Sequence, residues 1–230
     1  GFIAVYPEGL PPDSTQPGNF RKNPQTWNDG SGRYHAGEKN TDDVGFTLAM
    51  IEDLKIRFAV AAKRIYLMGF SNGSSMVYRL GIELSDLIAA IAPVASSGLR
   101  VKDSVLKRPV SMITIQGTAD PRNPLEGGDT KLLNKFETVD SRPPVRVSIE
   151  RWAKMLGCSE GPSSREKGGV KTLHFSAGRN GSEIVFHIVE GMGHTWPGGK
   201  SLLPESLVGK LTDKLKANDV IWDFFQKHHL

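Results

Sequence analysis

Cysteine is all but missing from this chain: its 230 residues contain one, Cys158. An internal disulfide is thereby excluded, and so is a zinc centre built on paired cysteines. At the end of the segment Trp152–Cys158 the lone thiol reads as a half-buried small apolar residue rather than a nucleophile. Long apolar runs are missing too. The longest, such as Leu87–Val94, fall far short of the ~20 residues that a membrane-spanning helix requires. No H-E-x-x-H pair and no calcium-loop pattern occurs, so no metal is implied. Charge of one sign is not concentrated either. Lys and Arg number 29 against 25 Asp and Glu, a net +4 with the two signs interspersed. Nucleic-acid recognition draws on a basic stripe or patch, so these charges read as a solvated surface.

What is present describes an ordinary globular protein, with 38% hydrophobic and 23% charged residues. The length suits one well-buried domain, and 1–230 reads as a single domain. Its first residues, Gly1-Phe2-Ile3-Ala4-Val5-Tyr6, carry no initiator Met and no signal peptide, so the chain reads as N-terminally truncated, with any targeting segment upstream.

Phe2–Tyr6 is a short apolar run stopped by Pro7 and Gly9 and reads as a buried strand. Residues 10–40 are rich in Pro, Gly, Asn, Asp and Ser. A loop of that length inside a domain is commonly functional, and its aromatics Phe20, Trp27 and Tyr34 favour that reading. Thr41 is placed to cap a helix continuing through Val44, Leu48, Ile51 and Leu54, with Asp42 and Asp43 in the first turn, favoured there by the helix dipole. Ile65–Met68, Leu87–Val94, Val110–Ile115, Val170–Phe175 and Ile184–Val189 read as strands, the last two joined through an Asn180-Gly181 turn. Helical spacing follows Ser71 (Met76, Val77, Leu80, Leu84) and recurs over Val145–Leu156 and Asp219–Phe225. Strands alternating with helices imply an α/β fold, with a mostly parallel sheet covered by helices on both faces.

Gly69-Phe70-Ser71-Asn72-Gly73 matches G-x-S-x-G, with a strand before it and a helix after it. In that context the serine sits on a tight turn, its hydroxyl lifted above the sheet edge. A serine hydroxyl needs a base, and the base needs an acid to hold its tautomer. In the order serine, acid, histidine, Asp120 follows the Val110–Ile115 strand, at the strand end where sites in parallel sheets gather. Asp129 and Asp140 lie farther into the loop and are weaker candidates. His194 stands in a glycine-rich segment just after Ile184–Val189. Among the other histidines, His187 reads as packed core, His174 as a strand residue and His35 as a loop residue, while His228 and His229 read as solvated. Gly198-Gly199-Lys200-Ser201 imitates the end of a phosphate loop, but the first glycine is out of place and Pro197 removes a donor, so no nucleotide site is implied.

Tyr6-Pro7-Glu8-Gly9, Trp27-Asn28, Asp42-Asp43-Val44-Gly45-Phe46, the Ser71 pentapeptide, Gly117-Thr118-Ala119-Asp120 and Gly193-His194-Thr195-Trp196-Pro197-Gly198-Gly199 together resemble the polyhydroxybutyrate depolymerase and feruloyl esterase group of α/β hydrolases, related to carbohydrate esterases. The resemblance implies an α/β-hydrolase fold whose N-terminal strands lie upstream of Gly1. It also implies a cofactor-free esterase acting on polyester or on feruloyl or acetyl esters. Ser71 would be the nucleophile, Asp120 the orienting acid and His194 the base, with Trp27 and Trp196 near the substrate. The backbone N–H of Asn72 would face the oxyanion, partnered by a donor from a His-Gly-rich turn upstream of Gly1. Secretion or a periplasmic location is implied as well, although relatives with cysteine pairs differ from this chain at Cys158. A peptidase or lactone hydrolase on the same scaffold, or a silent carbohydrate-binding relative, are the competing readings.

Overall fold

The chain is described by a computed structural model covering residues 1–20, 22–102, 105–132, 135–158 and 161–230, with backbone alone at 131, 132 and 135–140. Its elements in order are α1 (His35–Glu38), α2 (Asp43–Arg57), β1 (Tyr66–Phe70), α3 (Asn72–Glu83), β2 (Ala90–Val94), β3 (Ser111–Gly117), β4 (Gly128–Leu132), β5 (Lys135–Arg142), α4 (Val145–Leu156), β6 (Ser163–Lys167), β7 (Val170–Phe175), β8 (Ile184–Val189), α5 (Glu205–Val208) and α6 (Ala217–Phe225).

Every residue of β2 and β3 is buried; β2 is apolar throughout, as a strand covered on both faces should be, while β3 also buries Ser111, Thr114 and Gln116, each with a hydrogen-bond partner. Alternate side chains leave a strand on opposite faces, and the two cores divide accordingly. Ile91, Met112, Ile184 and Phe186 pack with Met76, Val77 and Leu80 of α3 and with Ile149, Trp152 and Leu156 of α4. Ala90, Ala92, Val94, Ile113 and Ile115 pack with Ala217, Ile221, Phe224 and Phe225 of α6 on the other face. The indole N–H of the fully buried Trp152 donates to the Val110 carbonyl at 2.9 Å, so the ring enters the core without an orphaned donor.

The sheet order is β1-β2-β3-β8-β7-β6. The first four strands run parallel, and β8-β7-β6 continue as an antiparallel meander. The carboxyl ends of β1, β3 and β8 therefore open on one edge. Asn180 and Gly181 both adopt positive φ in the β7–β8 connection, as the hairpin reading required. No described helix is long and apolar enough to cross a membrane.

Three expectations are corrected, and one strand was not foreseen. Phe2–Tyr6 forms no strand: Phe2, Ile3, Val5 and Tyr6 are exposed, and among the described residues the segment pairs with no strand. A short apolar run becomes a strand only where a ladder partner exists; here Phe2 merely packs its ring 4.7 Å from that of Trp222. The α2 cap is Asp42, whose carboxylate accepts from the Gly45 N–H, and not Thr41. Residues 10–40 contain α1 and two isolated bridges, Leu10 with Thr26 and Asn19 with Asn23. The polar strand β6, exposed throughout, has no apolar signature and exists because it pairs with β7.

Candidate active site

Between β1 and α3 the backbone turns through Ser71 at φ 55° and ψ −119°, a conformation that L-residues rarely adopt and that surrounding structure must hold. The Ser71 N–H donates to the Val94 carbonyl of β2 at 3.1 Å, anchoring the turn to the sheet. Gly69 is required because a β-carbon there would overlap the Gly73 carbonyl. The two small residues let strand and helix approach, and the hydroxyl is pushed out of the turn.

Gly117 does the same at the end of β3, where a β-carbon would run into the Met192 carbonyl. The Ala119 N–H donates to that carbonyl at 3.1 Å, so the segments after β3 and β8 lie against each other. This contact brings Asp120 to His194. The His194 Nδ1 lies 2.9 Å from Asp120 Oδ2, and its Nε2 lies 2.8 Å from Ser71 Oγ. A carboxylate accepts only, so Nδ1 carries the proton and Nε2 is left to accept the Ser71 hydroxyl. Asp120 is fixed in turn. Its Oδ1 accepts the backbone N–H groups of Arg122 (2.8 Å) and Asn123 (2.7 Å), and its Oδ2 accepts the Gln116 side-chain amide at 3.2 Å. Asp120 and His194 are both buried, with 3% and 4% exposure, and water is kept from the pair. The histidine loop is held from outside by α5 and its exit: the N–H groups of Gly193 and His194 donate to the carbonyls of Lys210 and Val208.

Phe70 stands beside this chain of groups, its ring 4.8 Å from the His194 imidazole and 6.4 Å from Trp196. The Trp196 indole donates to Asn218 Oδ1 at 3.0 Å. Trp27 lies on the other side of the nucleophile turn. Its ring is 3.9 Å from the position of a β-carbon on Gly73 and is stacked on Phe46, with centroids 6.3 Å apart. Asn72 opens α3, so its N–H has no intrahelical acceptor.

The rival residues lie elsewhere. Asp129 is exposed on β4, and the Asp140 side chain falls outside the described residues. His187 is buried in β8 with its Nδ1 2.9 Å from Thr172 Oγ1; burial foremost, and then the Arg165 charge, push it down to about 4. His228 is not solvated as expected, because Glu183 reaches it at 3.3 Å and its ring packs on Phe224 at 4.2 Å. Glu183 also accepts His174, and these two contacts hold its carboxyl below the usual range. Cys158 is half-buried, and burial pushes its thiol up. Among the described residues no group of three or more His, Cys, Asp or Glu side chains is arranged to hold a metal ion.

Sequence reasoning passed over Asp29 and Arg33 and read Asp43 only as a first-turn residue favoured by the helix dipole, yet all three buttress the turn. Asp43 is buried and accepts the Asn28 N–H at 2.6 Å; burial raises its carboxyl above the usual value despite that bond. Polar residues in loops and first helical turns are ordinarily solvated, so nothing local marks these three.

The sheet, the strand–serine–helix turn and the ordered Ser71, Asp120, His194 chain define an α/β-hydrolase fold. No family model matches the chain. It is similar to the putative esterase NocK of Nocardia uniformis subsp. tsuyamanensis, 28% identical over 195 residues that cover 79% of this chain and 56% of that protein. It is also similar to feruloyl esterase B of Piromyces equi, 29% identical over 172 residues, covering 70% of this chain and 30% of the relative. The chain thus spans little more than half of one relative and under a third of the other. The acetyl xylan esterase structure from Aspergillus awamori superposes with a TM-score of 0.49 at 13% identity, covering 74% of this chain and 68% of that one.

Proposed function

We propose that the chain is a serine esterase that hydrolyses carboxylic esters through an acyl-enzyme. The observation that carries this reading is the unbroken hydrogen-bonded path from Ser71 Oγ through His194 to Asp120. Ser71 Oγ attacks the ester carbonyl carbon as His194 Nε2 takes its proton. The tetrahedral oxyanion forms against the Asn72 N–H, where a preorganised donor is worth several kcal/mol, ~10²–10³ in kcat. His194 then returns the proton to the departing alkoxide, and the alcohol leaves. Water enters, its oxygen attacks the acyl carbonyl as His194 takes its proton, and His194 returns that proton to Ser71 Oγ as the acyl–oxygen bond breaks, releasing the carboxylic acid. Asp120 keeps its charge and holds the imidazolium in each half-reaction. No step requires a cofactor.

We assign the acyl and alcohol pockets to Trp27, bonded through its backbone to Asn72, and Trp196, which faces the Phe70 ring. The substrates follow from the resemblance and from the relatives' names: feruloyl or acetyl esters of plant polysaccharide, or a poly-3-hydroxybutyrate-like polyester. Two measurements test the proposal: labelling of Ser71 by a fluorophosphonate, and hydrolysis rates on p-nitrophenyl acyl esters and methyl ferulate. Stoichiometric labelling at Ser71 with ester turnover supports it; an unlabelled Ser71 and no turnover on any ester would overturn it.

A further inference from the structure

The residue after the nucleophile serves in most such turns through its backbone, yet here the side chain of Asn72 is fully engaged. Its Oδ1 accepts the Trp27 N–H at 2.7 Å, and its Nδ2 donates to the Trp27 carbonyl at 3.1 Å. The Trp27 N–H fixes which end of the carboxamide is oxygen, because only an acceptor fits opposite it. The remaining Nδ2 hydrogen reaches Asp29 Oδ2 at 3.2 Å. Asp29 is 1% exposed and forms an ion pair with Arg33 at 2.9 Å, and the same Arg33 nitrogen donates to Ser97 Oγ at 2.7 Å, beyond the end of β2. Asn28, between the two, is gripped separately: its N–H goes to Asp43 of α2 and its carbonyl accepts Arg79 of α3 at 2.8 Å.

Residues 27–29 are thus clamped onto the nucleophile turn by partly buried bonds, those of Asp29, Asp43 and Arg79 charge-assisted, whereas most of the described residues at 10–20 are exposed. Buried polar networks that are satisfied hold one geometry, and breaking one member strands the others. We infer that Asn72, with Asp29 behind it, is a positioning residue that sets substrate selectivity by locking Trp27 beside Ser71. This rests on the esterase reading only for its kinetic consequence. The geometric core is that the Asn72 carboxamide grips the Trp27 backbone on both its N–H and its carbonyl, while Phe46 stacks on the indole.

The test uses the whole chain with Asn72→Asp, which keeps size and the acceptor for the Trp27 N–H. It turns the donor into an acceptor facing the Trp27 carbonyl and the Asp29 carboxylate. With an ester whose acyl group is large and aromatic, methyl ferulate, Asn72→Asp should raise KM about tenfold more than it raises KM for p-nitrophenyl acetate, because any disturbance of the Asn72 oxyanion donor is common to both esters; one misplaced pocket contact is worth roughly that discrimination. Equal KM changes on both esters would overturn the inference. Amide hydrogen exchange read in parallel is independent of turnover. Asn72→Ala should speed exchange at the Trp27 amide by at least ~10-fold, as loss of a buried bond does, with β3 unaffected. If exchange at Trp27 is unchanged, the clamp does not exist. If no ester is hydrolysed by the parent while exchange responds, the esterase reading fails and the clamp stands.

Discussion

The Gly73 carbonyl occupies the space that a β-carbon on Gly69 would fill, whereas a β-carbon on Gly73 would meet only the Trp27 ring at an ordinary 3.9 Å. The two glycines of one pentapeptide are therefore unequal. Gly69→Ala forces the strand away from the helix and should destabilise by about 1–3 kcal/mol, as overpacking does. Gly73→Ala, in the first turn of α3, should be neutral or stabilise by up to ~1 kcal/mol. Urea unfolding of both variants checks this; equal losses would mean that the turn is not closed by that contact.

Ser71→Ala removes the atom that His194 Nε2 accepts from and leaves the backbone turn in place. Ester turnover should fall by ~10³-fold or more, with the unfolding midpoint close to that of the parent. Near-normal kcat in a folded Ser71→Ala protein would remove Ser71 as nucleophile.

Asp120→Asn presents an amide to His194 Nδ1 and favours the wrong tautomer, an exchange that has cost ~10⁴ in kcat elsewhere. Asp129, exposed on β4, should tolerate the same change within about twofold, as surface positions away from a site do. Parallel kcat values for the two variants decide the matter, and a crippled Asp129→Asn would reassign the acid.

His187 is held neutral, with a folded value of about 4 against an ordinary 6.5. As pH falls the unfolded chain takes up this proton first. Its contribution to stability is therefore complete above pH 6.5 and is withdrawn between 6.5 and 4, by a few kcal/mol at most. His187→Gln should flatten the stability curve in that window alone. Urea midpoints measured at pH 7, 5.5 and 4 give the slope; identical slopes for parent and variant would show that His187 does not carry it.

The features legible along the chain are those with a local period. β2 and β8 announce themselves because nearly every position is apolar, and β3 through Met112, Ile113 and Ile115. α4 shows its buried stripe, Val145, Ile149, Trp152 and Leu156, at helical spacing. The serine turn is readable because two glycines flank it between a strand and a helix. By contrast, Phe2–Tyr6 has the composition of a strand and pairs with none in the described structure, since a ladder depends on a partner and not on the run itself. β6 reverses the case, a polar segment made a strand by β7.

The residue types at Ser71, Asp120 and His194, their order and their places after β1, β3 and β8 follow from the sequence alone, because turn chemistry and strand ends are local properties. Their meeting does not. It depends on β3 and β8 lying side by side in a parallel pair and on the Gly117–Met192 approach, contacts between residues 75 positions apart that no short-range pattern encodes. The tertiary structure alone likewise took Asp29, Arg33 and Asp43 out of solvent and set them behind Trp27 and Asn72. A polar side chain acquires such a role only when folding removes its water and leaves one protein partner in hydrogen-bonding reach.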